Sequence, residues 1–205
     1  MVERVLEETE IKKEMPRDVF IFAASPPTAG KTTQTIFLAE TAKARLIRGK
    51  DIAPGLSDVL STSRDLVPDE IFLPALKRTL DGLIDSRVVI DNVPRSKSQA
   101  ELIKSWSAEN RVAIHLISLE LSEDETVERV RGRSVCPHCG ESYHSDLKPP
   151  INTGLCDKDG TDLVQRSGDD PETVKKGFRH HKQLQDEITG IFKGTATIHQ
   201  ISASG

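Results

Sequence analysis

Aromatic side chains are scarce in this sequence, at 4%, with a single Trp and a single Tyr. Scarcity of that kind argues against a surface that reads nucleic-acid bases by stacking. An excess of positive charge is also missing: 28 Lys and Arg stand against 32 Asp and Glu, for a net charge of −4. There is thus no basic face to track a phosphate backbone or an anionic membrane. No apolar run approaches the ~20 residues that span a bilayer, and Met1 to Pro16 is rich in Glu with no apolar signal core. The expectation is a cytoplasmic protein with neither nucleic acid nor membrane as partner, acting as a monomer. Only three cysteines occur, Cys136, Cys139 and Cys156, and an odd, tightly clustered set argues against disulfides and for a metal. No internal repeat or low-complexity tract is present. What remains is an ordinary soluble chain of 205 residues, 36% hydrophobic and 29% charged, long enough for one α/β core with a small insert.

The apolar runs place the core. Val19 to Ala24 is continuously apolar, which is how a strand buried on both faces of a parallel sheet reads. Val88–Ile90 ending at Asp91, Val112–Leu119 and Ala196–Ile201 read the same way. Helical stretches separate them: one to about Arg48, one over 68–85, one from Lys97 to about Ser107, and one over 171–186 capped by Asp169 or Asp170. A weak charged helix is expected over residues 2–15. This alternation predicts an α/β fold, a doubly wound parallel sheet with helices on both faces. Between Arg129 and Arg166 the texture changes to Gly, Pro, Cys, Asn and Asp, as expected of a small inserted lid.

Ser25-Pro-Pro-Thr-Ala-Gly-Lys-Thr-Thr33 follows the first strand and opens a helix. That context turns Gly30-Lys31-Thr32 into a phosphate loop (P-loop), although Ser25 stands where the usual pattern has glycine. Backbone N–H groups and the helix N-terminus meet phosphate oxygens, Lys31 reaches the outer phosphates, and the Thr32 hydroxyl suits Mg²⁺. In the insert, Cys136-x2-Cys139 and Cys156-x2-Asp159 have the spacing of a structural zinc site with four protein ligands. His138 and His144 are rival candidates for the fourth position.

Loop and cysteine cluster, in this order, resemble the adenylate kinases with a long zinc lid. The resemblance rests on Gly30-Lys-Thr-Thr-Gln34, Leu66-Val-Pro-Asp-Glu70, Asp91-Asn-Val-Pro-Arg95 with Gln99, and Glu128-Arg-Val-Arg-Gly-Arg133. Tyr143-His144, Gln165-Arg166 and Asp170-Pro-Glu-Thr-Val174 extend it. It implies transfer of the ATP γ-phosphoryl group to AMP, with one structural Zn²⁺ per chain and Mg²⁺ carried by ATP. It implies core segments at 1–48 (with an N-terminal extension), 74–128 and 167–205, a shortened acceptor-binding arm at 49–73 and a lid at 129–166. Thr28, Ala29, Gly30, Lys31, Thr32, Thr33, Arg129, Arg133, Ser142 and Tyr143 would bind ATP. Glu70, Ile71, Phe72, Asn92, Val93, Pro94, Arg95, Gln99 and Arg166 would bind AMP, and Asp91 would orient water around Mg²⁺. Lys31, Arg95, Arg129 and Arg166 would carry catalysis, since phosphoryl transfer is mainly positioning and charge compensation.

The chain departs from the family pattern in several places. The arm signature Ser-Thr-Gly-Asp-x-Leu-Arg is absent, its nearest segment being Ile47 to Ala53. Asn92 stands where the family has glycine, and Gly177 where it has a further arginine. The family's closing helix has no counterpart after the last strand; the expected N-terminal helix is the candidate substitute. His180 and His181 share the face of Gly177 at helical spacing, and either, if protonated, would supply part of the lost charge, so that the rate falls as pH rises through the histidine range. The altered arm leaves a kinase for another nucleoside monophosphate open, and Gly177 leaves open a nucleotide-binding pseudokinase with weak or no phosphotransfer.

Overall fold

The computed structural model describes residues 18–22, 25–54, 67–83, 87–166 and 168–204. The expected helix over 2–15, and most of the arm between its two ends, lie outside them. Five strands, β1 (Asp18–Phe22), β2 (Arg45–Arg48), β3 (Val88–Asp91), β4 (Ala113–Glu120) and β7 (Thr197–Ser202), form one parallel sheet in the order β2-β3-β1-β4-β7. The short β5 (Arg133–Val135) and β6 (Ser142–His144) pair antiparallel in the lid.

The period-2 alternation of strands sends neighbouring residues to opposite faces. Val19 lies beside Val88 and Ile114, and Ile21 beside Ile90 and Leu116. That face packs against α3 (Asp69–Asp81), α4 (Lys97–Asn110) and α6 (Pro171–Phe192) through Leu76, Leu80, Ile103, Trp106, Ile188 and Phe192. Phe20, Phe22, Val89, Ile117 and Leu119 point the other way, onto Leu38, Ala39 and Ala42 of α1 (Lys31–Thr41) and its end. Helices therefore cover both faces, and the sheet reads as continuous apolar runs because it is buried twice over.

The helix expected to run to Arg48 stops at Thr41 instead. Lys43 takes φ 50, which turns the chain, and Arg45-Leu-Ile-Arg48 becomes β2 beside β3, with Ile47 buried and Arg45 exposed. A four-residue α2 (Gly49–Ile52) follows. In α5 (Glu123–Arg131), Ser122 and Glu125 form a reciprocal capping box, and Val127 and Val130 meet Val174 of α6. Gly132 closes α5 where a Cβ would come within 2.6 Å of the His144 ring, so a larger residue there would have to displace that ring. Among the described residues no helix is long and apolar enough to cross a membrane.

Candidate active site

The phosphate loop sits at the C-terminal end of β1. Thr28 and Gly30 take positive φ, 61 and 80, which bends the chain tightly ahead of α1. Gly30 caps α1 with no side-chain hydrogen bond to the helix, so the first-turn N–H groups stay available to an anion. Lys31 reaches across to the end of the adjacent strand. Its Nζ donates to Asn92 Oδ1 at 2.8 Å and lies 3.4 Å from Asp91 Oδ1. Burial pushes the Lys31 amine below its ordinary range, against the opposing pull of Asp91. Buried Asp91 Oδ1 has no hydrogen-bond partner. A carboxylate oxygen with an ion pair to Lys31 but no hydrogen bond, beside a phosphate loop, fits a hydrated divalent cation, and the exposed Thr32 hydroxyl lies one residue from Lys31 on the same turn.

On the acceptor side, Arg95 follows β3 and is exposed, as is Asn92, whereas Val93 and Pro94 are buried. Gln99 is 3% exposed, and its amide is already engaged: Oε1 accepts from Arg95 N at 2.8 Å and Nε2 donates to Asp69 Oδ1 at 3.0 Å. Asp69 also accepts from Ser96 Oγ at 2.8 Å. Gln99 thus shapes the loop that carries Arg95. Glu70 and Ile71 are exposed in the first turn of α3, but Phe72 packs into the core at 6% exposure, so its side chain belongs to the hydrophobic interior.

The arginines assigned to phosphate divide into engaged and free. Arg129 donates to the carbonyls of Thr28 and Ala203, at 3.4 and 2.7 Å, joining α5 to the phosphate loop and to the chain beyond β7. Arg133 forks onto both oxygens of buried Asp169. Arg166 is exposed. Asp169 and Asp69 are functional partners that sequence reasoning missed. The sequence names Asp169 only as a possible cap, and Asp170 takes that role by accepting from Thr173 N at 2.9 Å.

His181 of α6 lies within electrostatic reach of Lys31 and Arg95, and its Nδ1 is buried without a hydrogen-bond partner. Burial first, then the charges of Lys31, Arg95 and His180, push its pKa down to about 4. A ring held neutral at pH 7 does not supply the charge expected of His181, while His180, the other histidine of that expectation, is exposed. A Cβ on Gly177 meets nothing within 4 Å, so a larger side chain has room to start there.

In the lid, the ligand atoms of Cys136, Cys139, Cys156 and Asp159 lie within 4.8 Å of one another. Cys139 Sγ is 3.5 Å from Cys156 Sγ, and Cys136 Sγ is 3.5 Å from Asp159 Oδ2. With metal–sulfur bonds of about 2.3 Å a tetrahedral edge is about 3.8 Å, so the donor set fits one metal ion. His138, weighed as fourth ligand, hydrogen-bonds Asp159 Oδ2 at 3.0 Å and so orients the ligand. His144 turns its Nδ1 to the Asp146 and Leu147 N–H groups. Tyr143, assigned to ATP, is 3% exposed and packs on the cluster, its hydroxyl accepting from Asp157 N at 2.8 Å. Only its neighbour Ser142 is exposed.

Comparison with known proteins agrees with this geometry. The family described as "Adenylate kinase, active site lid" matches residues 133–167. An adenylate kinase of Geotalea daltonii is 30% identical over 193 residues, 88% of this chain and 90% of its own. One of Pyrococcus furiosus is 30% identical over 204 residues, 92% of this chain and 89% of its own. One of Oceanobacillus iheyensis is 40% identical over 114 residues, covering 54% of this chain and 53% of its own. Identity at that level along nine-tenths of a relative, joined to a phosphate loop, an acceptor-side arginine and a four-ligand lid in matching order, settles the ancestry: the chain belongs to the adenylate kinase family.

Proposed function

We propose that the chain transfers the γ-phosphoryl group of ATP to AMP, giving two ADP, and that the residues gathered at the C-terminal ends of β1 and β3 do so. The observation that carries this reading is Lys31 at the mouth of α1, 3.4 Å from Asp91 at the end of the neighbouring strand, with Arg95 four residues beyond. Donor and acceptor phosphates then share one cationic floor. The N–H groups at the start of α1 and the Lys31 ammonium hold the donor phosphates. Arg95 takes the acceptor phosphate from a loop braced by Gln99 and Asp69. Arg129, Arg133 and Arg166 bring further charge from the lid side as the lid closes and excludes water. Asp91 and Thr32 would hold hydrated Mg²⁺, which when bound neutralises charge on the phosphate oxygens. Cys136, Cys139, Cys156 and Asp159 would hold Zn²⁺ as a structural staple, since four protein donors leave no open position.

One observation favours a second reading, a nucleotide-binding protein with weak transfer: an uncharged glycine at position 177. A coupled assay of zinc-loaded protein with ATP and each of AMP, GMP, CMP and UMP separates the two. Transfer to AMP, abolished in Lys31→Ala with an unchanged melting profile, is the expected result. ATP binding without transfer to any monophosphate establishes the second reading, and a Lys31→Ala variant with near-normal activity defeats the phosphate-loop assignment.

A further inference from the structure

Asn92 has a backbone that glycine would suit better. Its φ is 66, in the left-handed region that glycine enters freely and other residues at a cost, asparagine being among the more tolerant. The side chain has a specific partner. Asn92 Oδ1 accepts from Lys31 Nζ at 2.8 Å, a shorter contact than the 3.4 Å to Asp91 Oδ1, although a carboxylate is ordinarily the stronger partner for an ammonium. An ammonium has three donors. The amide takes one of them and the carboxylate adds an ion pair from the same β3 side, so the remaining donors are left for phosphate. No residue other than one with a short acceptor at position 92 could do this from that backbone; a glycine certainly could not.

We propose that Asn92 is a positioning residue, whose amide holds the Lys31 amino group in its working orientation before phosphate arrives. This rests on the reading of Lys31 as the group that binds phosphate. Donors placed in advance need no rearrangement as charge develops on the transferring group. Asn92 would therefore act on turnover more than on affinity.

Asn92→Gly separates this from a backbone role, because glycine relieves the left-handed φ while deleting the amide. The unfolding temperature should hold or rise. The kcat should fall at least about fivefold, with KM for ATP within about twofold of wild type. Lys31 in nucleotide-free protein should be labelled at least about twofold faster by an amine-acylating reagent, read by mass spectrometry, once its amide partner is gone. Asn92→Asp keeps an acceptor of the same shape, so kcat and slow labelling should be retained within about twofold, while KM for ATP rises because a second carboxylate faces the phosphates. Wild-type kcat and wild-type labelling in Asn92→Gly overturn the proposal. If the wild-type protein transfers to no monophosphate, the proposed function fails, and the labelling rates alone still decide the positioning role.

Discussion

Gly177 offers the sharpest perturbation. It lies inside α6, where glycine costs roughly 0.5–1 kcal/mol relative to alanine, and a side chain added there enters open space. One turn further along, His181 shares its face and has Lys31 and Arg95 as electrostatic neighbours, so a charge on this face of α6 would act on the phosphate-binding groups. At pH 7 His181 adds no charge there, because its ring is held neutral. Gly177→Arg places a permanently charged planar fork on that face. An arginine on a transferring phosphoryl group can be worth on the order of 10³–10⁵ in rate. Here Lys31 and Arg95 already share the space, so we expect a smaller gain, a kcat increase of at least about tenfold, or about 1.4 kcal/mol of transition-state stabilisation. The assay is enzyme-coupled detection of ADP at saturating ATP and AMP, with thermal melting to confirm the fold. Helix propensity alone should keep the melting temperature level or raise it. An unchanged kcat in a well-folded, active Gly177→Arg variant would refute the reasoning, since the α6 face would then not meet the transferring group.

Two further perturbations follow from the same geometry. The lid core consists of little beyond Cys136, Tyr143, Cys156 and Leu163, so bound metal must supply much of its folding free energy; we expect about one zinc per chain, and a lowered melting temperature on chelation, whereas metal analysis finding no zinc in protein expressed with zinc available refutes the assignment. His181 has a folded pKa of about 4 against about 6.5 unfolded, so between those values the unfolded chain binds the extra proton and stability is lost as pH falls. His181→Gln should therefore flatten the decline of melting temperature between about pH 6.5 and 4, and an identical decline in both proteins contradicts the burial of this ring.

The parts of the fold visible in the sequence are those whose signal is local. β1 and β3 announce themselves because both faces are buried, leaving polar residues only at their ends, Asp18 and Asp91. The lid cluster is legible because metal ligands on tight turns obey a fixed spacing. β2 is hidden: Arg45-Leu-Ile-Arg48 has the composition of a continuing helix, and the turn at Lys43 is a backbone event with no residue signature. The engagement of Gln99 by Asp69 and Arg95, and of Arg133 by Asp169, depends on contacts between distant segments. Pattern alone reads such residues as ligand contacts because they are polar and near a motif. Adjacent Asp169 and Asp170 look interchangeable, yet one is 5% exposed beneath an arginine and the other caps a helix.

The bond between Asp69 and the Ser96–Gln99 turn carries a consequence for how this enzyme could diversify. Asp69 opens the helix that returns from the acceptor arm, and through Ser96 Oγ and Gln99 Nε2 it clamps the loop that presents Arg95. On the proposed reading, the loop that would hold the acceptor phosphate is thereby anchored by the last turn of the arm, at Asp69, and by Ser96 and Gln99 beyond it. If the proposed roles hold, base preference and phosphate placement become separable: arm sequences between Ile52 and Asp69 should be exchangeable while Arg95 keeps its station. A library built on this scaffold should therefore vary the arm and leave Asp69, Ser96 and Gln99 untouched.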